Sequence, residues 1–178
     1  MAERRAAATV IAMRVLLIVA LLACPLGCGG TDEGGGSATV ARVLDGDTIV
    51  LADGRHVRLV QLDAPETDEG ECYAQEAERV LARLIPPGTE VELETDPALD
   101  RRDRFGRTLA YVRRDGANVN LELVRRGAAS AWFYEGDRGR YAADFLGAAR
   151  EAKRHRRGLW GACPHTRFDP LQPLEARR

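Results

Sequence analysis

An excess of charge of one sign is missing from this sequence: 26 basic residues stand against 27 acidic ones, a formal net charge of −1. A chain without a cationic excess has no general coat for polyanions, so any binding of nucleic acid must come from arginines that the fold gathers locally. Long apolar runs are missing too. The stretch from Val15 to Leu22 is too short to cross a bilayer as a stable helix. His56, His155 and His165 do not cluster, and no catalytic histidine is assigned. Cys72 and Cys163 lie far apart in sequence, without the closely spaced Cys pairs of a zinc site. There is no internal repeat. What is present is 178 residues, 45% hydrophobic and 30% charged, enough for one packed soluble domain and a short targeting segment.

The targeting segment is read at the N-terminus. Arg4, Arg5 and Arg14 precede the apolar run, which ends at Leu21-Leu22-Ala23-Cys24. A basic region, a short apolar region and a small residue before the cut describe a signal peptide over residues 1–23. Leu21, Ala23 and Cys24 also match a bacterial lipobox, in which the cysteine is lipidated; Leu22 is a less usual fit. Cys28 after Gly27 is the alternative site, with Pro25 a poor match before it. Met13-Arg14 offers a second possible start. Residues 24–37, Gly-rich from Gly29 to Ser37, read as a flexible tether. The expectation is an exported protein, held on a membrane by a lipid anchor or released to the periplasm or the outside. In such an oxidising compartment Cys72 and Cys163 are expected to pair, the alternative being two unpaired buried thiols. A bridge closing so long a loop stabilises by about 2–4 kcal/mol.

The folded domain is placed over residues 38–163, followed by a loosely structured tail over 164–178. Val40, Val43, Ile49 and Leu51 lie on two apolar stretches around the turn signal Asp45-Gly46-Asp47-Thr48. A third strand is expected from His56 to Leu62, ended by Asp63-Ala64-Pro65. Helical spacing marks Gln75 to Ile85, with Pro86-Pro87-Gly88 stopping it. Val91 and Leu93 alternate with glutamates as a half-buried strand. Thr108 to Val112 is a fifth strand, Leu121 to Arg126 a short helix, and Tyr141 to Arg156 a longer one. Trp132 and Trp160 are placed in the core. The order fits a β-barrel plus helices (α+β), a five-stranded barrel of the OB type with three helices. Open α+β sheets fit the same string.

The chemistry-bearing residues cluster at turns. Asp45 and Asp47 occupy one, Asp63 and Glu66 another. Crowded carboxylates repel unless a cation holds them, and hard oxygen ligands without Cys or His point to calcium or magnesium. Aspartate is also common at turns for backbone reasons alone. Arg58 falls inside an apolar strand, where alternation puts it on one face with Val60 and Leu62; its charge needs a partner, a structural carboxylate or an anionic substrate. Arg107 follows Phe105-Gly106, and a forked guanidinium suits phosphate. A metal, two cations and an acid to handle or position water are the parts phosphoryl chemistry needs. The basic run from Arg150 to Arg157 reads as a solvated helix end, where cations suit the dipole, rather than a phosphate contact.

Five ordered blocks then carry a resemblance. They are Val43-Leu44-Asp45-Gly46-Asp47-Thr48, Arg58 to Thr67, Asp103 to Val112, Leu123 to Gly127, and Gly158-Leu159-Trp160. In order and spacing the sequence from Val40 to Trp160 resembles the staphylococcal nuclease (thermonuclease) family. The resemblance implies an OB barrel with three helices and calcium-dependent hydrolysis of DNA and RNA to 3′-phosphate and 5′-hydroxyl ends. It implies Asp47 and Asp63 as calcium carboxylates, the Ala64 backbone carbonyl as a further ligand and Asp45 just behind them. It implies Glu66 as general base or water-positioner, and Arg58 and Arg107 as the phosphate-binding arginines. Phe105 and Phe133 stand where the family carries tyrosines. Their faces are expected to stack on bases without hydroxyl donors, with Tyr134 as a neighbouring substitute. The partners expected are nucleic acid and a membrane, for a monomeric protein. The rival readings are a catalytically inactive binding module of the same family and an OB domain that binds an oligosaccharide or a protein. Neither accounts for Arg58, Glu66 and Arg107 occurring together with the aspartates.

Overall fold

The computed structural model describes residues 36–169. The signal peptide, Cys24, Cys28 and all of the expected tether but its last two residues lie outside the described residues. Gly36 and Ser37 belong to the first strand, where they pair with Leu93 and Glu92, so the domain starts slightly before residue 38. Among the described residues no helix is long and apolar enough to cross a membrane.

Five strands close into a barrel. Strand β1 (Gly36–Val43) is shared between two partners: its first half pairs antiparallel with β5 (Glu90–Glu94), its second with β2 (Thr48–Leu51). The register shifts between Val40 and Arg42, and a bulge of this kind bends a strand and lets it change neighbours. Strand β2 pairs with β3 (His56–Leu59), and β5 with β6 (Thr108–Arg114). The parallel pairing of β3 with β6 closes the ring. Short pairs complete the sheets: β4 (Leu62–Asp63) with β8 (Ser130–Ala131), and β7 (Ala117–Asn118) with the end of β6. Ile49, Leu51, Val57, Leu59, Val91 and Val112 fill the interior. Period-2 alternation is clearest in β5, where Val91 and Leu93 are buried and Glu90 and Glu92 exposed.

Helices α1 (Ala74–Leu84), α2 (Val119–Arg125) and α3 (Ala142–Arg154) cover the barrel, and a four-residue helix, α4 (Leu159–Ala162), follows. Helix α2 is locked by Asn120, which is fully buried. Its side chain accepts from the Val112 N–H and donates to the carbonyls of Val60 and Ala110, so a buried amide is satisfied and rigid. The expected helices are found within one or two residues of their expected ends.

The third strand is corrected. It ends at Leu59, not Leu62, because Gln61 adopts a left-handed backbone (φ 66°), which non-glycine residues enter only when the surroundings hold them. The holding is visible: buried Gln61 donates to the Asp137 carbonyl and accepts from the Gly139 N–H. Arg58 therefore does not share a strand face with Val60 and Leu62. The turn instead swings Asp63 and Glu66 back over the end of β3. Of the expected loose tail, residues 164–169 are described: they form no helix or strand and 164–167 are exposed, but Phe168 is buried against Leu159 and Cys163.

Candidate active site

The loop from β1 to β2 lies against α1. A Cβ on Gly46 would meet the Ala64 Cβ at 2.6 Å and the Ala77 Cβ at 2.8 Å. Only glycine fits, and for closeness rather than for an unusual backbone angle. That contact sets Asp47 beneath the chain at Ala64. Asp47 is 2% exposed. Its Oδ2 accepts from the Ala64 N–H (3.1 Å) and its Oδ1 from the Thr48 hydroxyl (3.0 Å). Thr48 and Arg58 are partners across the β2–β3 ladder, which brings Arg58 to Asp47. Arg58 Nη2 lies 2.9 Å from Asp47 Oδ2 and 3.0 Å from Asp63 Oδ1. Its Nη1 donates to the carbonyls of Leu59 (2.7 Å) and Leu62 (3.2 Å). One guanidinium thus fastens the strand end, the turn and two carboxylates together.

Asp47, Asp63 and Glu66 each place a carboxylate oxygen within 4.8 Å of the others. Calcium–oxygen distances run to about 2.3–2.6 Å, so donors sharing one ion sit within roughly twice that of each other. The donor set is all oxygen, as calcium or magnesium prefers. Electrostatics report the crowding. Burial pushes the Asp47 carboxyl up to about 8; Arg58 opposes this, while Asp45, Asp63 and Glu66 add to it. Glu66 is pushed up to about 7, by burial first and then by Asp45, again against Arg58. Carboxylates this reluctant to ionise together fit a site that takes a cation. Asp45 is outside the cluster of three; its Oδ1 accepts from the Asp47 N–H and closes the turn.

Arg107 stands apart. It immediately precedes β6, where Thr108 faces Val57 across the parallel pairing. Its Nε is 2.6 Å from Asp103 Oδ2, and its N–H donates to Asp103 Oδ1. Burial works against the Asp103 charge, but the hydrogen bonds from Arg107 and Phe105 hold the carboxyl below its usual range. Phe105 is 69% exposed, with the guanidinium carbons of Arg104 and Arg107 at 4.7 and 5.4 Å from its ring centre. Beside it a cleft of ≈ 420 Å³ is lined by Arg55, His56, Arg102, Phe105, Arg107 and Thr108, among others. A flat ring between cations suits a base and its phosphates.

The other aromatic expectations divide. Phe133 is 1% exposed and belongs to the core, so its face is not open to a base. Tyr134 is half exposed, its ring 5.7 Å from that of Trp132. Neither Trp132 nor Trp160 is fully buried. Cys72 and Cys163 are joined, S–S 2.09 Å.

Two residues at the site were not anticipated. Glu71 accepts from the Glu66 N–H at 2.8 Å, and Arg167 bonds both Glu71 and Asp63. The signal available was the expected disulfide: pinning Cys163 to Cys72 places the residues after Cys163 near the Glu66 loop.

Comparison with known proteins agrees with this geometry. Residues 56–162 match the family model described as staphylococcal nuclease homologue. The chain is 37% identical over 140 residues to a protein of Escherichia coli O157:H7 named "Uncharacterized endonuclease", covering 75% of this chain and 80% of the relative. It is 33% identical over 142 residues to the thermonuclease of Staphylococcus intermedius, covering 76% and 83%. It is 36% identical over 132 residues to endonuclease YncB of Bacillus subtilis, covering 70% and 61%. With the closed barrel and helices expected of that fold, the chain belongs to the staphylococcal nuclease family and is a nuclease-type hydrolase.

Proposed function

We propose that the protein is a calcium-dependent endonuclease that hydrolyses DNA and RNA to 3′-phosphate and 5′-hydroxyl ends. The observation that carries this reading is the meeting of Asp47, Asp63 and Glu66 within 4.8 Å around a guanidinium bonded to two of them. Asp47 and Asp63 would hold the ion, with Glu66 beside them and the Ala64 carbonyl available from the same turn. Calcium, when bound, supplies a fixed positive charge that polarises the scissile phosphate. Arg58, fixed at the carboxylates, stabilises charge developing on the phosphate oxygens, and Arg107 adds a second guanidinium from the loop that precedes β6. Glu66 orients the attacking water and takes its proton, a role its raised pKa favours near neutral pH. Water oxygen bonds to phosphorus as the P–O5′ bond breaks; Glu66 holds the proton from the attacking water, and the departing O5′ takes its proton from solvent water.

The reading extends to place and state: a monomer, exported and anchored through a lipid on Cys24, with Cys28 as the alternative site. The rival is an inactive module that binds nucleic acid without cutting it. Complete retention of the acids and arginines favours the enzyme. Single-stranded DNA and RNA incubated with the chain and calcium separate the two. Shortening of the polymer, abolished by chelator, supports the enzyme; bound polymer of unchanged length supports the module.

A further inference from the structure

The strap after the disulfide reaches the candidate metal site. Cys163 is tied to Cys72, and Phe168 is buried against Leu159 and Cys163. Between these anchors Arg167 spans two acids that lie far away in sequence. Its Nη1 is 2.7 Å from Asp63 Oδ2, and its Nε is 2.5 Å from Glu71 Oε1. Glu71 Oε2 in turn accepts from the Arg167 Nη2 and from the Glu66 N–H, while the Glu71 N–H donates to the Glu66 carbonyl. Arg58 already holds the other oxygen of Asp63. The Asp63 carboxylate is therefore gripped on both sides, and the loop carrying Glu66 is closed through Glu71. The Arg167 guanidinium also lies 4.2 Å from the centre of the Phe168 ring, which limits its freedom.

Resting on the nuclease reading above, we propose that Arg167 is a positioning residue of the active site, acting through Asp63 on the metal and through Glu71 on Glu66. The two actions have opposite signs. A fixed cation on Asp63 competes with calcium for the same carboxylate and weakens its binding. The same cation, by closing the Glu71–Glu66 loop, keeps Glu66 in place for the chemical step. A strap that merely packed would not divide the two.

The test measures three quantities on the full chain with its disulfide intact: calcium affinity by calorimetry with the metal alone, kcat and KM on single-stranded DNA at saturating calcium, and Tm. Arg167→Ala is expected to bind calcium about two- to fivefold more tightly, the size of one partly exposed ion pair. Its kcat is expected to fall by about tenfold or more through misplacement of Glu66, with KM changed less. Glu71→Gln keeps Arg167 on Asp63 but weakens the loop closure. It is expected to lower kcat similarly while leaving calcium affinity within about twofold. Arg167→Lys keeps the charge and should restore wild-type calcium affinity. Calcium affinity and kcat both unchanged in Arg167→Ala would overturn the proposal. So would weaker calcium binding together with a lower Tm, which is what loss of structure produces. If the wild-type chain cut nothing, the nuclease reading would fail, whereas the calcium titration would still decide whether Arg167 competes at Asp63.

Discussion

The two arginines assigned to phosphate live in opposite surroundings. The Arg58 side chain is 12% exposed, on a barrel strand, and bonded to two carboxylates and two carbonyls. The Arg107 side chain is 30% exposed, on a loop, and bonded to one nearby aspartate, four residues earlier. Arg58 is thus both part of the fold and part of the chemistry, while Arg107 is attached to the fold at one point. A residue that neutralises a buried acid cannot be removed without cost to folding. A residue on a surface loop can.

Substitution by alanine should show this difference most strongly. Arg58→Ala leaves the Leu59 and Leu62 carbonyls and the Asp63 carboxylate without their donor, which costs roughly 1–3 kcal/mol of stability or more. It also removes a contact to the developing charge, worth about 3–4 kcal/mol in the chemical step. Arg107→Ala should lose a similar amount of catalysis but no more than about 1 kcal/mol of stability, since its partner is partly solvated. Denaturant unfolding beside single-turnover kinetics checks both. Equal stability losses would break the contrast.

The two phenylalanines sharpen it. Phe133→Ala opens a cavity in the core and should cost about 3–5 kcal/mol of stability. Phe105→Ala should leave stability nearly unchanged and weaken substrate binding by about 1–3 kcal/mol, the range for one stacked base. A KM unchanged by Phe105→Ala would remove that ring from the substrate path.

A smaller effect follows from pH. Asp47 and Glu66 have folded pKa values raised to about 8 and about 7 from ordinary values of 3.8 and 4.5. The folded state then holds their protons more tightly than the unfolded state, so their contribution is full below the ordinary values. It is lost as pH rises through about 7 and 8. Metal-free protein should therefore lose Tm between mildly acidic and mildly alkaline pH. Glu71, Asp96 and Asp103, held below their usual range against the pull of burial, act in the opposite sense and only in acid. Calcium should bind more weakly at acid pH and release protons on binding at about pH 6.5, measurable by calorimetry in buffers of different ionisation enthalpy. No proton release would contradict the crowding at Asp47 and Glu66.

Much of the barrel was legible because its signals are local. Alternation marked β5, and helical spacing with Pro86-Pro87-Gly88 marked α1. The third strand was misjudged because Gln61 is turned by contacts to Asp137 and Gly139, far along the chain. Phe133 was misjudged because a lone aromatic does not announce whether it faces solvent or core. At the site, Asp47, Arg58, Asp63 and Glu66 were legible as a set, but Gly46 was read as a turn former when its role is to let Ala64 and Ala77 approach. Arg167 and Glu71 were illegible without the path of the strap after Cys163.

The most direct test of the central claim is cleavage of single-stranded DNA by the chain and by Glu66→Gln, with calcium and with chelator, with product ends identified by mass spectrometry. The account predicts cutting that depends on calcium, products with 3′-phosphates, and a Glu66→Gln rate lower by about 10²–10³-fold at unchanged fold. Full-rate cleavage in chelator, or a wild-type rate from Glu66→Gln, would contradict it.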